Sequence, residues 1–119
     1  MTTCVANCPL EVAIRITGGR WRLILIYCLL NGPKRFSDLE REIPGISQRM
    51  LTLDLRKLEQ AGIISRKIIA DVPVKVEYQL TPEGLELQSV VNGLRLWGQQ
   101  IIERQRAEKI PNATPMTSV

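Results

Sequence analysis

Ser47, Gln48, Arg49, Thr52 and Arg56 bring hydroxyl, amide and guanidinium groups into one short stretch. Such a set can hydrogen-bond richly but contains no nucleophile with a base beside it. At helical spacing Arg49, Thr52, Leu53 and Arg56 share a face, opposite a stripe of Leu51, Leu55 and Leu58 at i, i+4 and i+7. A guanidinium near the start of such a helix can fork onto guanine O6 and N7, and a glutamine can do the same for adenine. Arg56, two turns on, is better placed for a phosphate, and a free helix N-terminus offers its N–H groups to another. The plainer alternative is a helical hairpin whose arginines are only solvated.

The neighbouring residues decide how that helix is held. Ser37 and Glu40 read as a capping box that starts a short helix at Ser37, with Leu39 and Ile43 on its inner side. Pro44 and Gly45 stop it. Ser47 is a second N-cap, and Ile46 before it can staple onto Leu51. A short helix, a tight corner and a helix of about 47–61 with a basic outer face make a helix-turn-helix. Residues 63–70 and the alternating residues 74–80 then form a hairpin with Asp71-Val72-Pro73 at its tip. Coming directly after a helix-turn-helix, the hairpin of about 64–80 reads as a wing, with Lys67 and Lys75 near the tip. A hairpin that only closes the core is the alternative. Lys34, Arg35, Arg66 and Lys67 are weaker candidates for phosphate contacts, and residues 34–36 are long enough for one edge strand.

Cys8-Pro9 opens a first helix with proline at its first position, and Gly18-Gly19 ends it. Leu10, Val12, Ala13, Ile14 and Ile16 wrap around more than one of its faces, so it needs two partners, one of which can be a second subunit. Residues 21–30 carry one charge in ten and read as a buried helix. Thr81-Pro82-Glu83 caps the last helix, where Leu87, Val91, Leu94, Trp97 and Ile101 repeat, widened by Val90 and Ile102. Running to Arg106, that helix would be about 37 Å long. A core this small cannot cover it, and the same helix of a second subunit is the economical cover. Leu10, Ile14, Leu94, Trp97 and Ile101 are therefore the expected dimer contacts. The expected organisation is a flexible arm (1–7), one domain (8–106) and a disordered tail (107–119).

Composition narrows the function classes. The 119 residues are 45% hydrophobic, enough for one core, and the net charge of +4 suits an anionic partner. Aromatics at 4% argue against stacking platforms for single strands, and the absence of histidine removes the commonest general base and metal ligand together. A thiol enzyme lacks its base, and neither a metal site nor a cofactor is expected. No apolar run is long enough for a membrane helix, and three cysteines without framework spacing fit a reducing, cytoplasmic setting. Cys8 has two readings. Beside a helix N-terminus its thiolate is favoured and could sense an oxidant, with Cys4 resolving it; or it is a small residue at a crowded helix start. Cys28 reads as core.

Seven blocks carry a resemblance over about residues 8–104: Cys8-Pro9, Gly18-Gly19-Arg20-Trp21, Gly32-Pro33-Lys34-Arg35-Phe36, Ile43-Pro44-Gly45-Ile46-Ser47-Gln48-Arg49-Met50-Leu51-Thr52, Arg56-Lys57-Leu58-Glu59, Val76-Glu77-Tyr78 and Leu80-Thr81-Pro82-Glu83-Gly84. In this order they resemble the HxlR-type winged helix-turn-helix regulators, within the broader MarR-like group. The resemblance implies a mainly α fold with a small β-hairpin wing, and a homodimer joined through first and last helices on double-stranded operator DNA. Carried over by position, Ser47, Gln48, Arg49, Thr52, Arg56 and Lys75 would face that DNA. It also implies that the Cys8 position can sense electrophiles or oxidants in some members. Leu53 departs from the pattern, which often has a polar residue there; leucine could still touch a thymine methyl. A winged-helix module that holds protein partners is the competing reading.

Overall fold

The computed structural model describes residues 8–109, and the chain divides into two units after Gln88. The expected arm 1–7, with Cys4, and the tail from residue 110 lie outside the described residues. The first unit holds α1 (Pro9–Thr17), α2 (Arg22–Leu29), β1 (Lys34–Arg35), α3 (Phe36–Glu42), α4 (Gln48–Gln60), β2 (Ile64–Asp71), β3 (Val74–Leu80) and α5 (Pro82–Leu85). The second is essentially α6 (Gln88–Lys109).

The first unit closes on residues that the hydrophobic pattern had placed inward. Leu25 and Ile26 of α2, Leu39 of α3, Leu51, Leu55 and Leu58 of α4 and Ile64 of β2 are all fully buried. Removing each such side chain from water contributes about 1.5–3 kcal/mol, offset by the entropy of ordering it. A three-stranded antiparallel sheet of order β1-β3-β2 flanks these helices. The expected edge strand exists, pairing Lys34 with Tyr78 and Arg35 with Glu77, and Phe36 already belongs to α3.

Three local expectations need correction. The box that opens α3 is not Ser37–Glu40: the helix begins one residue earlier, and the Asp38 carboxylate accepts the Arg35 backbone N–H at 2.9 Å. An acid three residues after the N-cap reaches back to it whichever residue supplies the cap, and that bond together with Arg41 holds Asp38 below the ordinary aspartate range. The last helix is also not continuous from Pro82. Thr81 caps only α5, its hydroxyl accepting the Gly84 N–H at 3.1 Å. The Glu86 and Leu87 N–H groups then bond the carbonyls three residues back, and this tighter turn breaks the helix before Gln88. Gly84 lies so close to the Ile63 carbonyl that a Cβ there would collide with it. Finally, α6 runs to Lys109 rather than stopping at Arg106.

The wing is a long hairpin joined by the two-residue turn Val72-Pro73. A bulge between Ile68 and Ala70 adds Ile69 to β2. The alternation in β3 does not become a buried and an exposed side at the tip: Val74 is exposed, as are Ile68 and Val72. The apolar residues around the tip are therefore not part of the core. Among the described residues no helix is long and apolar enough to cross a membrane.

Candidate nucleic-acid interface

The corner before α4 works because Gly45 takes φ 98°, a left-handed conformation costly for any side chain with a Cβ. Ser47 then turns the chain into the helix, its Oγ accepting the Met50 N–H at 3.0 Å. With Leu51, Asp54, Leu55 and Leu58 buried, the rotation of α4 is set, and Gln48, Arg49, Thr52, Leu53 and Arg56 all reach solvent. The sequence-derived face is thus brought together intact. Gln48, Arg49, Thr52, Leu53 and Arg56 line one open groove together with Phe36 of α3. The Thr52 hydroxyl already donates to the Gln48 carbonyl at 2.9 Å, so what it offers outward is acceptor lone pairs and a methyl group.

The cations sort into two groups by partner. Arg15 pairs with Glu11, Arg22 with Asp54, Lys34 with Glu42, Arg41 with Asp38 and Arg66 with Glu59. Lys34 is the tightest of the candidate phosphate contacts to be engaged, at 2.9 Å, and its hydrogen bond to Glu42 raises its pKa above the ordinary lysine value. Arg49 and Arg56 have no carboxylate partner among the described residues and are exposed to solvent. Arg35, Lys67 and Lys75 are exposed; Lys67 stands opposite Glu77 in the sheet register and Lys75 opposite Ala70 beside the wing tip.

Cys8 is half-buried and is the N-cap residue of α1, its carbonyl accepting the Val12 N–H at 3.0 Å. Cys28 is buried in α2, and burial first, then the Glu42 charge, push its thiol up, as suits a core residue. On α1 no residue is buried, and Leu10, Val12 and Ile14 are exposed; on α6 so are Leu94 and Trp97, with Ile101 half-buried.

Sequence reasoning missed the pair Arg22–Asp54. The Arg22 Nε lies 3.4 Å from Asp54 Oδ1, with the side chains 15% and 7% exposed. Its Nη1 also donates to the Arg15 and Ile16 carbonyls at the end of α1. One guanidinium therefore ties the end of α1 to the inner face of α4. Each residue was a misfit in its own pattern, Asp54 on the leucine stripe and Arg22 in an apolar run. Two misfit charges were the available signal that they pair.

The family model described as HxlR-like helix-turn-helix matches residues 16–106. The HTH-type transcriptional regulator YdeP of Bacillus subtilis is 45% identical over 98 residues, 82% of this chain and 77% of that protein. Its HTH-type transcriptional regulator YodB is 42% identical over 97 residues, 81% and 87% of the two chains. The solved structure of the redox regulator HypR in its reduced form superposes with a TM-score of 0.74 at 44% identity, covering 77% of this chain and 91% of that one. A winged helix-turn-helix of this length, matched over most of its residues, belongs to the HxlR-like helix-turn-helix family of transcriptional regulators.

Proposed function

We propose that the chain binds double-stranded operator DNA as a homodimer, with α4 in the major groove and the β2–β3 wing along the flanking backbone or minor groove. The observation that carries this reading is the exposed face of α4, where Gln48, Arg49, Thr52 and Arg56 line one groove and neither arginine meets a carboxylate among the described residues. Gln48 and Arg49 read base edges; Arg56, Ser47 with its helix N-terminus and Lys75 meet the backbone. A module for protein partners would need an apolar outer face, and here that face is mainly polar and basic. In the homodimer two copies of α4 enter successive major grooves about 34–36 Å apart.

An electrophoretic shift assay on a duplex from the chain's own upstream promoter region, with a scrambled duplex beside it, tests the reading. Arg49→Ala should cost promoter binding about 1–3 kcal/mol more than scrambled binding. Lys75→Ala should weaken both duplexes alike. Equal losses on the two duplexes for both variants would remove this division of labour, and no binding by the wild type would remove the function.

A second reading adds thiol sensing through Cys8. It is favoured by the similarity to HypR, solved in reduced and oxidised forms, and to YodB, solved in reduced and diamide-treated forms. Cys8 begins α1, and α1 is tied through Arg22 to α4, so an adduct that tilts α1 would alter how α4 is presented. An oxidant acts only through its different free energy in the two arrangements. Diamide should change the promoter affinity of the wild type, reversibly with thiol, and leave Cys8→Ser unchanged. Identical responses, or none, would make Cys8 structural.

A further inference from the structure

Arg49 and Leu53 form a ridge between two depressions, the groove described above and a second one lined by Arg20, Trp21, Gly45 and Ser47. Arg20, in the link between α1 and α2, is exposed, and its guanidinium lies 4.3 Å from the centroid of the Trp21 ring. Stacking of this kind holds the plane of the guanidinium while leaving its N–H edge open to an acceptor. The ring is seated in turn: Trp21 Cη2 lies 3.6 Å from where a Cβ on Gly45 would stand, against the corner that precedes α4. No carboxylate among the described residues pairs with Arg20.

A helix lying in the major groove has a sugar–phosphate strand along each of its sides. On one side of the α4 ridge stands Arg56; on the other stand Ser47, whose helix N-terminus leaves backbone N–H groups free, and the stacked Arg20. We propose that Arg20, held on Trp21, is a DNA-backbone contact that fixes the N-terminal end of α4 against one phosphate strand. This rests on the DNA-binding reading above and deepens it by adding a positioning residue from outside the helix-turn-helix. Because a phosphate oxygen is the acceptor, the contact is indifferent to base sequence. The preorganised guanidinium loses little side-chain freedom on binding, which distinguishes it from a free surface arginine.

Fluorescence anisotropy of the full chain on the promoter and scrambled duplexes, each across a salt series, tests the assignment. Arg20→Ala should weaken both duplexes by the same factor, about threefold to tenfold, and lower the slope of log K against log salt by about 0.9. Arg20→Gln, which keeps length and drops the charge, should lose as much, and Arg20→Lys should keep the wild-type slope. Thermal melts matching the wild type show that these exposed substitutions leave the fold intact. If Arg20→Ala and Arg20→Gln keep wild-type affinity and slope while Arg49→Ala loses promoter preference, the Arg20 assignment is wrong and the DNA-binding reading stands. If Arg20→Ala loses only promoter preference, Arg20 reads bases and the backbone assignment is overturned. If the wild type binds neither duplex, the DNA-binding reading itself fails.

Discussion

Arg22→Ala should lower the unfolding free energy by about 3 kcal/mol, the lower end of the cost of breaking a buried ion pair from one side. The lower end applies because the contact is a single bond of 3.4 Å and Arg22 keeps 15% of its side chain in water. The cost comes chiefly from Asp54, which is 7% exposed on the inner face of α4 and would be left there without its partner. Two α1 carbonyls lose a donor as well. For a domain whose total stability is on the order of 5–15 kcal/mol, this is a large share. Asp54→Ala should cost less, because the Arg22 guanidinium would still meet the Arg15 and Ile16 carbonyls. The double change Arg22→Met with Asp54→Leu should recover most of the loss, since apolar replacement of both partners removes the desolvation penalty. Urea unfolding of the four proteins measures all of this. A loss under about 1 kcal/mol for Arg22→Ala would mean that the pair is solvated as surface pairs are.

The same pair explains why the site was more legible in the sequence than the elements that hold it. The α4 face followed from helical period alone, since Leu51, Leu55 and Leu58 fix which residues must point outward. Caps and corners were nearly as readable, because Ser47, Pro9 and Gly45 act through their own backbone chemistry. What escaped were features made by residues far apart in the chain. Arg22 meets Asp54 across 32 positions, and Trp21 meets Gly45 across the corner. Local pattern also misjudged helix boundaries, and two of them have a physical reason. At α3 both Ser37 and Asp38 carry plausible cap chemistry, and the choice fell to Asp38 through a bond to Arg35. At Glu86-Leu87 every residue is a good helix former, and nothing local signals the break that follows the docking of Gly84 against Ile63. The wing hairpin was readable as alternating strands, but alternation alone does not say that Val72 and Val74 at its tip stay exposed.

Trp97→Asp should convert a dimer into a monomer that retains the winged unit. Helix α6 spans 22 residues, about 33 Å at 1.5 Å per residue, and Leu94 and Trp97 are 50% and 61% exposed along it. Val90 and Ile102 extend the same apolar surface of α6, and in the first unit Leu10 and Ile14 of α1 are exposed as well. In the proposed homodimer a second copy would cover this apolar area with a self-complementary surface at no cost in new sequence. In a two-fold interface each substitution acts twice. Losing a buried tryptophan costs about 2 kcal/mol or more per site, so the pair should raise the dimer dissociation constant about a thousandfold. Burying two new carboxylates adds to that. Light scattering at micromolar concentration should give the wild type twice the chain mass of 13.5 kDa and the variant that mass once. Circular dichroism should keep the helical signal of the first unit, because the substitution lies outside it. Promoter affinity should fall far more than scrambled affinity, since two copies of α4 no longer engage two half-sites together. A monomeric wild type, or a variant that remains a dimer at the same concentration, would place the interface elsewhere.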